Sequence, residues 1–135
     1  MDLSLPESSR HWILTLEAAF FVVLFLQSGL DKVLNWKSNL QFHREHFSNS
    51  PLASVSLPML AVLTLLEIVA GSLAVAVILL LDVHPESQLV RCGFYLPAVI
   101  FLCLFFGQRL ARDYAGAAAL VPYFLLALFG ILVAG

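Results

Sequence analysis

The sequence predicts an all-α integral membrane protein: four transmembrane helices in one bundle, with a short interfacial amphipathic helix in the first loop. Three observations carry this. The 135 residues are 61% hydrophobic and only 12% charged, whereas a soluble domain runs nearer to half apolar and a quarter charged. The apolar residues are gathered into four runs, each close to the roughly 20 residues that cross a bilayer at about 1.5 Å rise per residue. The segments between runs hold the helix breakers and most of the Lys and Arg. Mean hydropathy is +0.94, and the length suits a single membrane domain over 1–135.

The first run, roughly 11–34, reads HWILTLEAAFFVVLFLQSGLDKVL. Asp2 and Glu7 stand where a signal peptide would carry basic residues, and the run is longer than a signal core, so a true span is expected. Pro6, Ser8 and Ser9 form a polar lead-in suited to capping it. The link over roughly 35–56 is the longest. Within it, NWKSNLQFHREHF places Trp36, Leu40, His43 and Phe47 at helical spacing, the pattern of a helix lying on the membrane surface, and Ser48-Asn49-Ser50-Pro51 ends it.

The second span covers roughly 57–81, and Pro85 in DVHPESQL breaks the chain before the third, roughly 91–108. A tight polar turn around RLARDY leads to the fourth, roughly 115–134, where AGAAA gives a small-residue face for close packing. Cys92 and Cys103 lie eleven residues apart on the third span, about 16 Å along the axis and beyond disulfide reach. They are expected as small apolar residues in a packed helix.

Charge sets orientation. Lys32, Lys37, Arg44, Arg109 and Arg112 belong to the side of the first and third loops, against Arg10 and Arg91 on the other. The excess places the first and third loops in the cytoplasm and both termini outside. A net charge of -2 gives no ground for nucleic-acid binding.

A carboxylate in TLLEIVAGSLAVAVILLLD is the first functional clue, because an ionised group at the bilayer centre costs about 2.5–3.5 kcal/mol on insertion scales. That residue is Glu67. Gln27 and Asp31, four apart, share a face of the first span, with Glu17 about 40° from Asp31 around the axis. Gln27 at roughly 10 Å depth and Glu67 at roughly 14 Å are expected to meet. Glu67 is either protonated and donating to Gln27, or ionised against Lys32 or Arg109. Gln108, Arg109, Arg112, Asp113, Tyr114 and Tyr123 come to the same membrane side. The candidate ligand-binding set is therefore Gln27, Asp31, Lys32, Glu67, Arg109, Arg112 and Tyr123, and the competing reading is interhelical hydrogen bonding that only holds the bundle together. For Glu17 the structural reading is preferred, and Arg109 with Arg112 also suits a cytoplasmic anchor. His43 and His46 with Glu45 fall short of the three or four ligands of a zinc site. No metal site is expected, and no catalytic residue is assigned: no serine sits in a nucleophile turn, and phosphate loops and CxxC are lacking.

FLQSGLDKVLNW, LLEIVAGSLAV and FFGQRLARDYAGA leading into PYFLLALFGI resemble the DoxX family of small bacterial membrane proteins over roughly 11–134. Gly29 with Lys32, and Glu67 with Gly71, match the family's motifs on its first two helices. The resemblance implies a four-helix bundle in the bacterial inner membrane. It also implies links to thiosulfate:quinone oxidoreductase, oxidative-stress complexes or assembly of other membrane proteins. The expected function is an accessory or assembly subunit of an inner-membrane complex, in contact with lipid and other membrane subunits and non-catalytic by itself. No cofactor is expected beyond a quinone. The alternative is a quinone- or lipid-binding subunit of an oxidoreductase using a polar pocket around Glu67. A small transporter ranks last, since no inverted repeat is visible.

Overall fold

The computed structural model describes residues 4–135. They form α1 (Glu7–Leu34), α2 (Trp36–His46), a single 3-10 turn (Ala53–Val55), α3 (Ser56–Leu80), α4 (Gln88–Leu110) and α5 (Tyr114–Ala134), with no strand among them. α1, α3, α4 and α5 are long and apolar enough to cross a membrane, and α2 is the amphipathic helix of the first loop. The expected spans hold to within four residues. The largest difference is at α1, which starts at Glu7 with Pro6 before it and no side-chain cap. The lead-in is therefore already helical. Pro6 fits because its missing N–H is one that a first turn leaves unbonded.

The four spans make a ring in which α1 packs on α3, α3 on α4, α4 on α5, and α5 back on α1. The α1–α3 contact is the tightest, and two glycines explain it. A methyl group added at Gly71 would lie 2.6 Å from Leu26 Cδ2 and 3.0 Å from the Leu26 backbone nitrogen; one at Gly29 would lie 2.8 Å from Ile68 Cγ1. Lipid chains are as apolar as leucine, so association of spans depends on this close backbone approach more than on burial.

At the centre, Phe21, Phe25, Phe94 and Phe101 are each at most 2% exposed, with ring centroids 5.4–6.4 Å apart. The outward faces carry exposed Leu and Val along every span, with Phe20, Phe106 and Phe129 added on α1, α4 and α5, as a bundle solvated by acyl chains requires. Cys92 and Cys103 belong to this outward set. Both are free and exposed on α4, so the expectation of packed cysteines is corrected: Gly93, Phe94, Pro97 and Phe101 supply the inner face of that helix.

The turns use local chemistry. Ser87 caps α4 by accepting from the Leu89 N–H at 3.2 Å, and Asp113 caps α5 by accepting from the Gly116 N–H at 2.9 Å. α4 ends with Arg112 N–H donating to Arg109 O and Asp113 N–H donating to Gln108 O, the paired bonds of a left-handed helix stop. Arg112 takes that left-handed position at φ 60°. At the far end, Arg10 donates from Nε to Val133 O at 3.1 Å and from Nη2 to Ala134 O at 2.9 Å, placing a cation on the carbonyls that close α5.

Candidate functional site: a buried ion pair beside an aromatic-walled cavity

The half of the bundle next to α2 holds the site. Gly29 fixes which face of α1 looks at α3. At about 100° per residue, Lys32 lies about 60° from Gly29, and Gln27 and Asp31 about 160° away. The structure follows this rotation. Lys32 Nζ donates to Glu67 Oε1 at 3.3 Å and to Ser28 Oγ at 2.7 Å. Glu67 Oε2 is nearer to Nζ, 3.0 Å, but lies off the hydrogen-bond line, so that contact is coulombic. The two side chains are 13% and 6% exposed, a charge pair held inside the span region.

The expected Gln27–Glu67 contact is corrected by the same rotation. Gln27 is exposed on the outward side of α1, and so is Asp31. The Asp31 carboxylate accepts from Asn35 Nδ2 at 2.8 Å and Asn39 Nδ2 at 3.4 Å, which joins α1 to α2 rather than to the cavity. Arg109 and Arg112 are exposed as well. The Arg109 guanidinium lies 4.5 Å from the centroid of the Tyr114 ring, a cation–π contact at the rim. Of the residues marked in the sequence, Lys32, Glu67 and Tyr123 converge; Gln27, Asp31, Arg109 and Arg112 do not.

Beside the ion pair is a cavity of about 140 Å³ lined by Leu24, Phe25, Ser28, Glu67, Phe101, Leu104, Leu120 and Tyr123. Its aromatic wall is continuous: Phe25 stacks on Phe101 at 5.4 Å and 28°, and Phe101 on Tyr123 at 5.7 Å and 26°. Ser28 and Phe101 are additions that the sequence reading missed. The signal for Ser28 was its place between Gln27 and Gly29, on the inward side once Gly29 is taken as the α3-facing residue.

A second hollow, about 540 Å³, lies outside the ring between α2, α3 and α4. Its walls include Val62, Leu63, Leu66, Leu104 and Gly107, and its roof is Phe42, His43, His46 and Phe47. Leu104 is a wall of both hollows. His46 Nε2 donates to Gln108 Oε1 at 2.6 Å and stands 3.6 Å from Asp113 Oδ2, tying the roof to the α4–α5 turn. His43 packs on Phe47 at 5.4 Å, and burial, with the charges of Lys32 and His46 adding to it, holds its pKa below the usual 6.5. His43 is thus engaged in packing and His46 in packing and a hydrogen bond, and among the described residues no three His, Cys, Asp or Glu groups converge on one point that could hold a metal.

Glu17 occupies the opposite half of the bundle. It is 6% exposed, and neither of its oxygens has a hydrogen-bond partner among the described residues. A methyl group at Gly130 would lie 2.8 Å from Oε1 and 2.5 Å from Phe94 Cδ1, so the glycine leaves the room this side chain fills. No protein-family model, curated protein or solved structure matches the chain. Its functional reading rests on this geometry and on the motifs.

Proposed function

We propose that the chain is a non-catalytic, DoxX-like subunit of a bacterial inner-membrane complex that binds a lipophilic molecule with a flat, hydrogen-bonding head, the class to which quinones belong. The observation that carries this reading is the Lys32–Glu67–Ser28 group set against the stacked Phe25–Phe101–Tyr123 wall. An aromatic wall favours a planar ring, and the Ser28 and Tyr123 hydroxyls offer donors to its carbonyl oxygens.

Size sets how such a molecule would sit. Pockets that hold a whole drug-sized ligand run from about 300 to 1,000 Å³. The inner cavity, at about 140 Å³, has room for a head alone. The apolar hollow of about 540 Å³ across Leu104 has room for the start of a tail. Tail placement adds orientation more than affinity, because the bilayer solvates a tail equally well. The basic residues support a cytoplasmic position for this end of the bundle: with Lys32 inside, Lys37, Arg44, Arg109 and Arg112 stand against Arg10 and Arg91.

Purification in mild detergent, with mass spectrometry of both co-purifying proteins and extracted lipids, tests the reading. The expected result is stoichiometric membrane subunits together with a quinone that is lost in Glu67→Gln. A chain that carries no quinone, and takes up neither ubiquinone nor menaquinone in nanodiscs, would remove the binding reading; a chain that also purifies alone would remove the subunit reading.

A further inference from the structure

The outward face of α1 raises a problem that its own bundle does not solve. Leu16, Phe20, Val23, Gln27, Leu30 and Leu34 succeed one another at spacings of four and three residues. All six are exposed, Leu16 at 63%, Val23 at 68%, Leu30 at 52% and Leu34 at 79%. Gln27 is the only carboxamide exposed within the body of a span among the described residues. Apolar side chains precede and follow it along the stripe, so its amide lies in the hydrocarbon region. There an unbonded polar group is costly and water is scarce.

We infer that this stripe is the contact between two copies of the chain, packed α1 against α1 in parallel about a twofold axis normal to the membrane. The alternating four- and three-residue spacing is the heptad seam of a two-stranded parallel contact, and a single polar residue within such a seam fixes register and pairing. The occupant follows from the chemistry of Gln27. Two copies inserted with the same topology carry Gln27 at the same depth, and a carboxamide is its own complement. One N–H of each copy donates to the carbonyl oxygen of the other, so a single reciprocal pair answers both copies. Asp31 flanks the stripe, and its oxygens are already taken by Asn35 and Asn39. The opposite face of α1, with Phe25 and Lys32, is the one that packs into the bundle and holds the ion pair. Dimerisation therefore leaves the ion pair as it is, while Phe20, which stacks on Tyr123 at 6.0 Å, joins the seam to the cavity wall.

The test uses the full chain in phosphatidylethanolamine–phosphatidylglycerol vesicles, in a background of Cys92→Ser and Cys103→Ser. Val23→Cys and Leu30→Cys are expected to form disulfide-linked dimers under mild oxidation. Leu65→Cys on α3 and Phe106→Cys on α4, also exposed, are expected to stay monomeric. In resonance energy transfer between labelled copies, Gln27→Leu is expected to weaken association about tenfold, the scale of a pair of interhelical side-chain hydrogen bonds, and Gln27→Asn to recover part of it. Three results would each overturn the inference: no energy transfer at any protein-to-lipid ratio, cross-linking that favours Leu65→Cys or Phe106→Cys, or Gln27→Leu associating as the wild type does.

Discussion

Replacing the Lys32–Glu67 pair in a double-mutant cycle gives the sharpest check on the site. The charges are 3.0–3.3 Å apart and 13% and 6% exposed. At that distance and an effective dielectric of about 20, their attraction is about 5 kcal/mol before desolvation is counted. Taking both groups out of water offsets much of it, so the pair as a whole contributes little net stability. Removing one partner is different, because the other is left as an unpaired charge among hydrocarbon. Lys32→Met and Glu67→Leu are each expected to cost about 3–5 kcal/mol, and the double variant to fall close to wild type. Reversible unfolding in mixed micelles of rising dodecyl sulfate fraction, followed by far-ultraviolet circular dichroism and tryptophan fluorescence, measures all four corners. Additive losses in the double variant, or a single variant that loses less than about 1 kcal/mol, would refute the argument that these groups are coupled in a water-poor interior.

Three further outcomes follow from local geometry. Gly71→Ala puts a methyl group 3.0 Å from the Leu26 backbone nitrogen and is expected to destabilise by about 1–3 kcal/mol. Gly107→Ala, whose new methyl group would meet nothing nearer than Phe47 Cζ at 3.8 Å, is expected to stabilise by about 0.5–1 kcal/mol in the same micelle titration. Arg112→Gly removes a side chain from a left-handed position, φ 60°, and is expected to stabilise by about 1 kcal/mol; an unchanged unfolding midpoint would count against the strain. The lowered pKa of His43 means that the unfolded chain binds more protons there, so the docking of α2 is unaffected at high pH and weakens as pH falls below about 6.5. Lower protection factors for the α2 amides at pH 5.5 than at pH 7.5, each taken relative to the intrinsic exchange rate at that pH, with the difference abolished by His43→Phe, are the expected record of this.

Much of the architecture is legible in the chain because hydrocarbon thickness and backbone hydrogen bonding leave so few choices. Apolar runs of span length must be helices, and the breakers between them mark the loops. Trp36, Leu40, His43 and Phe47 were readable as the inward side of α2 because burial on a surface helix follows its period; all four are at least partly buried. The site was harder. Depth along an axis follows from counting residues, but rotation about it depends on which face meets the neighbour. Depth alone matches Gln27 to Glu67, and the contact does not form because Gly29 turns Lys32 inward and Gln27 outward. The glycine was visible in the sequence; that it meets Ile68 across a close α1–α3 approach was not. Asp31 illustrates the same limit, since its partners Asn35 and Asn39 come from the connection into α2.

The phenylalanine cluster also bears on the electrical tightness of the bundle. Glu17 and Glu67 are carboxyl groups set into opposite halves of the membrane, and a file of water joining them would give protons a way to run down their gradient. Phe21, Phe25, Phe94 and Phe101 occupy the space between the halves with rings in mutual contact. Packed aromatic rings offer hopping protons no hydrogen-bonded chain. A bundle only four spans thick can therefore bury acidic groups from either side and still keep an insulating layer of packed rings between them.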